Sequence, residues 1–116
     1  MAIIRDKGVS VAALSSAART ASGDALAASS DYGSADTMRC QLNVTAVSGT
    51  APTLDVVIED TLDGTNFNTI GTFAQKTATG REVINITIPF TERVRIRWTI
   101  AGTTPSFTFG VDVYVQ

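Results

Sequence analysis

From Met38 onward the chain alternates apolar and polar side chains so regularly that few folds other than a β-sheet remain open to it. Met38, Cys40, Leu42, Val44 and Ala46 interleave with Arg39, Gln41, Asn43 and Thr45. A period of two sends successive side chains to opposite faces of a pleated strand. Leu54, Val56 and Ile58 form a second inward set opposed by Asp55 and Glu59, although Val57 interrupts the outward polarity. Ile84, Ile86 and Ile88 alternate with Val83, Asn85 and Thr87. Val94, Ile96, Trp98 and Ile100 alternate with Arg93, Arg95, Arg97 and Thr99, and the last strand contributes Phe107, Phe109, Val111, Val113 and Val115. Six or more such strands with no helix between them predict an all-β fold, a single antiparallel β-sandwich of jelly-roll or Ig-like kind.

The turns agree with that pattern. Leu62-Asp63-Gly64-Thr65-Asn66 places Asp-Gly between two strands, where glycine supplies the positive φ of a hairpin turn, so residues 54–60 and 67–74 are expected to pair. An internal repeat is also visible. Val47-Ser48-Gly49-Thr50-Ala51-Pro52-Thr53-Leu54 and Ile100-Ala101-Gly102-Thr103-Thr104-Pro105-Ser106-Phe107 share the frame apolar-x-Gly-Thr-x-Pro-hydroxyl-apolar. Glycine permits a reversal and proline fixes φ without donating to a ladder, so each frame is expected to end one strand and begin the next. Two similarly built hairpins follow, 38–60 and 93–115, related either by a pseudo-twofold or by convergent turn chemistry.

Composition changes near residue 37. Val9 to Asp36 is rich in Ala, Ser and Gly and has too few large side chains to bury much area per ordered residue. The expected organisation is an extended N-terminal arm with short edge strands over 1–36 and a sandwich core over 37–116. Ser22-Gly23-Asp24, Ser29-Ser30-Asp31 and Tyr32-Gly33-Ser34 interrupt any long helix, and Val11 to Arg19 admits at most a short helical turn.

A chain of 116 residues can bury a core without staples. The single Cys40 excludes an internal disulfide framework, and the absence of histidine removes the usual zinc sets, so no metal and no cofactor is expected. A formal charge of −2 with 17% charged residues lacks the basic footprint that nucleic acid demands. No segment reaches the roughly 20 apolar residues of a membrane span, and Met1 to Lys7 holds no run of signal-peptide length, so no membrane partner and synthesis as a soluble cytoplasmic chain are expected. Asn43-Val44-Thr45 and Asn85-Ile86-Thr87 fit the glycosylation pattern but read more simply as outward-facing strand positions.

Nucleophilic catalysis needs a nucleophile, a base and a group to orient the base, and without histidine that base would be a carboxylate or lysine. Asp55, Glu59, Asp60 and Asp63 are the close acids, and acids on solvent faces and turns serve solubility, so neither an enzyme nor a small-molecule substrate is expected. Cys40 lies on the apolar side of its strand, where burial makes a thiol inert. Asp60 to Asn66 clusters oxygen ligands about a glycine but misses the spacing and the bidentate glutamate of a calcium loop. Arg93, Arg95 and Arg97 share one face, and three like charges spaced about 7 Å apart need an answer. That answer is either a cross-strand ladder to acids such as Asp55, Glu59, Glu82 or Asp112, or an acidic partner surface. Trp98 reads as core, while Phe67, Phe73 and Phe90 lie near strand ends and are better candidates for partial exposure.

From about Leu42 to Gln116 the chain resembles small virion proteins of tailed bacteriophages, through VTAVSGTAPTLDVVIEDTLDGTNFNTIGTFAQ and RVRIRWTIAGTTPSFTFGVDVYV, and SSAARTASGDA resembles the opening of such proteins. The resemblance implies a small β-sandwich structural component, such as a head decoration or cement protein, or a neck or tail piece. It implies a virion location, a homo-oligomer, and the major capsid protein or other virion proteins as partners. A receptor- or carbohydrate-binding module displayed on a particle is the reading from another class. The candidate partner-contact residues are Arg19, Thr50, Pro52, Arg93, Arg95, Arg97, Thr103 and Pro105.

Overall fold

The structure, a computed structural model, describes residues 8–27, 30–33 and 35–116. Residues 1–7, 28–29 and 34, all assigned by sequence to the arm, lie outside the described residues. The chain is all-β but for one helical turn: β1 (Val9–Arg19), β2 (Gly23–Leu26), α1 (Ser30–Gly33), β3 (Met38–Thr61), β4 (Phe67–Thr72), β5 (Gly80–Ile86) and β6 (Val94–Val115). All six strands join one antiparallel, curled sheet in the order β1-β6-β3-β4, with β2 on β6 and β5 on β3. Val11 to Arg19 is strand, not a helical turn, because its main chain hydrogen-bonds along β6 from Val9↔Val115 to Arg19↔Phe107.

The expected hairpins 38–60 and 93–115 do not form. Residues 38–61 and 94–115 are instead two single strands that pair with each other almost end to end, from Met38↔Val115 to Asp60↔Val94. A straight strand of 24 residues would run about 80 Å at roughly 3.3 Å per residue. The longest dimension of the molecule is 59 Å, so the ribbon bends. It bends at the two Gly-Thr-x-Pro frames, which lie opposite one another. Register shifts fall between Ser48 and Thr50 and between Thr50 and Thr53, where a proline without an N–H leaves no ladder bond unmade. The frames are therefore corners within strands and not turns between them.

One part of the hairpin reading holds. β3 and β4 pair from Val57↔Thr72 to Thr61↔Phe67 across the Asp63-Gly64 turn, in which Gly64 has φ +84°.

The register carries the symmetry that the frames suggested. Val47↔Phe107 is matched by Leu54↔Ile100, and Ser48↔Ser106 by Thr53↔Ala101, so a pseudo-twofold axis passes between the paired Thr50 and Thr103. The outer strands obey it too. Ser10↔Tyr114, Val11↔Val113, Ala12↔Asp112 and Leu14↔Val111 correspond to Phe67↔Thr61, Asn68↔Asp60, Thr69↔Glu59 and Gly71↔Ile58, each outer-strand residue moved on by 57. Both pairings skip one residue at the same place, Ala13 and Ile70. Gly23↔Trp98 likewise corresponds to Gly80↔Val44. Aligned at this offset, Ala17, Arg19, Thr20, Ala21, Ser22 and Gly23 stand over Ala74, Lys76, Thr77, Ala78, Thr79 and Gly80. The molecule is thus two interlocked three-stranded units, β1-β2-β3 and β4-β5-β6, and the two outer strands of each pair with the long strand of the other.

Inward residues of both halves form one core that includes Met38, Cys40, Leu42, Val44, Leu54, Val56, Ile58, Ile96, Trp98, Phe107, Phe109 and Val111. Trp98 and Phe109, from opposite ends of β6, meet edge to face at 5.9 Å, a favourable ring geometry. Tyr32 and Leu14 are also buried in it, so the segment before residue 37 contributes to the core. Three apolar assignments change. Phe73 is buried, not partly exposed, Ile88 lies beyond the end of β5, 50% exposed, and Ala46, expected inward with Val44, is exposed because the register shifts between the two.

Candidate interaction surfaces

The eight residues singled out from the sequence fall in three places. Thr50 and Thr103 pair across the pseudo-axis and are exposed at the corner, with Pro52 and Pro105 half-buried beside them. The close packing is reciprocal: a Cβ on Gly49 would lie 2.9 Å from Pro105 Cα, and one on Gly102 would lie 2.9 Å from Pro52 Cα.

Arg19 is committed to the fold. Its Nη1 donates to the Phe109 carbonyl at 2.7 Å and its Nη2 to the Ser15 carbonyl at 2.9 Å. The guanidinium covers the Trp98 and Phe109 rings at 5.0 and 4.7 Å from their centres, where cation–π attraction adds to packing. Burial pushes its pKa down from the ordinary arginine value. Trp98 Nε1 donates to the Ala21 carbonyl, so the indole is satisfied as a core residue.

The arginine stripe is answered within the chain. Glu59, almost fully buried, accepts from Arg95 Nε at 2.9 Å and from Arg97 Nε at 3.2 Å. Asp24 lies 4.0 Å from Arg95, and the Arg95 guanidinium stacks 3.6 Å from the centre of the Phe67 ring. Arg93 donates to the Leu62 carbonyl. Of the acids expected in a ladder, Glu59 carries it, while Glu82 pairs with Lys76 and Asp55 accepts from Gln75.

Asp63 spends its oxygens on its own turn. Oδ1 accepts from the Thr65 and Asn66 amides, and Oδ2 from the Asn66 side chain. The Asn66 backbone amide first, then its side chain and the Thr65 amide, hold the Asp63 carboxyl well below the ordinary carboxylate range. This is hairpin chemistry, and among the described residues no group of three His, Cys, Asp or Glu could hold a metal ion. Burial pushes the Cys40 thiol up to about 12.

Two open surfaces were not legible in the sequence. The corner divides the sheet into a first half, where β1 and β5 flank the Met38 end of β3 and the Val115 end of β6, and a second, where β4 and β2 flank their other ends. On the outer face of the first half, Ser10 and Ala12 of β1, Asp112 and Tyr114 of β6, Arg39 and Gln41 of β3 and Val83 of β5 line a shallow groove of about 490 Å³. At the far end of the other half, Leu62, Ile70, Ile88 and Phe90 surround an apolar recess of about 430 Å³, with Leu62 76% exposed. The groove residues come from four strands that only register aligns. The one signal available beforehand was the outward polarity of Arg39, Gln41, Asp112 and Tyr114. The second repeat, Ala-x-Arg/Lys-Thr-Ala-Ser/Thr-Gly, was readable as text, but its two copies sit in segments of different assigned character. Compared with protein-family models and with curated proteins, the chain matches none.

Proposed function

We propose that this chain is a non-enzymatic structural protein of a tailed-bacteriophage particle, a decoration or cement protein that binds the shell and holds neighbouring subunits together, with its two halves faced as a small β-sandwich. The observation that carries the reading is the outer edge of β1. Among the described residues, each of the outer strands β1, β2, β4 and β5 pairs on one side only. β1 is 11 residues long and holds no charged residue before Arg19. Sheet edges that stay solitary are blunted by lysine, proline or short length. A long uncharged edge is instead suited to strand addition by a neighbour, and its two bulges bend it without adding charge. The phage-protein resemblance of residues 42–116 supports the same setting, and many weak edge contacts repeated over a shell would sum through avidity.

The experiment is cryo-electron microscopy of the source particle, with rebinding of purified protein to shells stripped of it. Density bridging capsid subunits, and saturable rebinding that raises shell melting temperature, are expected. Density confined to the portal or tail axis would replace the cement reading with a ring-forming neck or tail protein. Absence from the particle would end both.

A further inference from the structure

The two halves are equivalent in register, so they can be compared row by row, and their outer faces differ in one respect. In the second half one row runs Thr69, Glu59, Arg95, Leu26 across β4, β3, β6 and β2. Its counterpart in the first half runs Ala12, Asp112, Gln41, Val83. The acid is kept and the guanidinium is not. In the next row on one side Phe67, which lies under Arg95, is replaced by Ser10, and in the next row on the other side Arg97, the second partner of Glu59, is replaced by Asn43. The second half therefore closes its outer face with an acid, two guanidiniums and a ring. The first half keeps an acid with no cation in ion-pair range among the described residues, and a groove where the ring and the guanidinium would stand. Asp112 and Ser10 are exposed, Tyr114 and Gln41 are half-buried, and Tyr114 faces Arg39 in the neighbouring row. Arg39 is drawn the other way, donating to Asn85 Oδ1 at 3.2 Å.

We propose that this groove binds an arginine side chain of a protein partner, its guanidinium paired with Asp112 and stacked on the Tyr114 ring. Asp112 is the acid of the groove, and Arg39, the cation that also lines it, is engaged by Asn85. The Tyr114 ring stands where a cation–π contact like that of Phe67 with Arg95 can form, and a planar guanidinium suits a carboxylate beside an amide acceptor such as Gln41. The inference does not rest on the virion reading, because it concerns one groove of the isolated chain. An exposed pair contributes little by itself, so a single arginine binds at millimolar concentration and useful affinity comes from the rest of the partner.

The test is a titration of the isotope-labelled full chain with N-acetyl-arginine amide, followed by amide NMR shifts, with N-acetyl-citrulline amide as the uncharged control. Saturable shifts at Ser10, Gln41, Asp112 and Tyr114 are expected for the arginine compound alone, weakened about threefold or more by Asp112→Asn. The Ser10→Phe/Gln41→Arg variant copies Phe67 and Arg95 into the groove and is expected to abolish them with the remaining spectrum unchanged. Equal binding of citrulline, no shift in those amides, or shifts that persist in the filled variant would overturn the proposal. So would an Arg5→Ala variant in which those amides move without any ligand, since the groove's occupant would then be the chain's own first residues.

Discussion

At the scale of single residues, the corner is where this chain departs most from ordinary strand chemistry. Gly49 and Gly102 have φ of +108° and +124°, and Ala51 and Thr104 have φ of 48° and 45°, so the left-handed conformations also recur at symmetric positions. A Cβ at Gly49 would lie 2.7 Å from the Thr104 carbonyl oxygen, and one at Gly102 would lie 2.9 Å from that of Ala51. Both neighbours are backbone and cannot yield cheaply. Gly49→Ala and Gly102→Ala are each expected to cost about 2 kcal/mol or more, and by similar amounts, in urea unfolding. Thr104→Gly is expected to stabilise by up to about 1 kcal/mol, because a β-branched residue is strained there and glycine is not. Cys40, fully buried with its thiol pushed up to about 12, should resist a thiol reagent at pH 8 in the native protein and react at once in denaturant. Asp63 gives a pH dependence of known sign. Its folded carboxyl titrates below the unfolded value near 3.8, so its stabilisation is complete above that pH and is lost as the pH falls below it. The melting-temperature gap between the wild type and Asp63→Ala should be constant from pH 5 to 8 and narrow progressively below about pH 4.

At the scale of elements, the two outer faces make a controlled comparison. Glu59 and Asp112 occupy equivalent strand positions, but Glu59 is buried between Arg95 and Arg97 while Asp112 is exposed. Truncating one member of a buried ionic set leaves its partners unanswered, so Glu59→Ala should destabilise by about 2 kcal/mol or more. Asp112→Ala should stay within about 0.5 kcal/mol, as surface substitutions do. Paired chemical unfolding curves decide between these outcomes. Strand identity was largely legible here, because the period-two pattern at Met38 to Val44 and Val94 to Trp98 reports which side of a strand is buried, and Asp63-Gly64 reports a hairpin. Continuation through Pro52 and Pro105 was not legible. A Gly-Thr-x-Pro frame has the same local chemistry in a turn as in a corner, and only the partner strand decides which is made. Edge strands were expected in the Ala/Ser-rich segment, but that β1 runs unbroken for 11 residues was not legible for a related reason: Ala and Ser carry a weak pattern, and pairing along β6 supplies what their side chains do not.

For the whole molecule, the interlocked units predict a rearrangement that the fold should tolerate. Val9 pairs with Val115, at the position that the Asp63-Gly64 hairpin occupies in the other half. Joining Gln116 to Gly8 through a short Asp-Gly turn and opening the chain between Asp63 and Gly64 should yield a permutant with the same strand content and a cooperative melt, checked by circular dichroism. Loss of cooperative folding would show that the two hairpin positions are not equivalent. By itself the sequence determined that this chain is β, which side of each long strand is inward, where Asp-Gly reverses it, and that its two Gly-Thr-x-Pro frames match, because those properties are set by neighbours along the chain. The tertiary structure alone decided that the frames bend one shared ribbon, that the Ala/Ser-rich segment runs as one 11-residue strand along β6, that Glu59 answers the arginines, and that Asp112 is left open in a groove. Each of these depends on which residues of distant strands stand opposite one another, and register is settled only when both halves close over a common core.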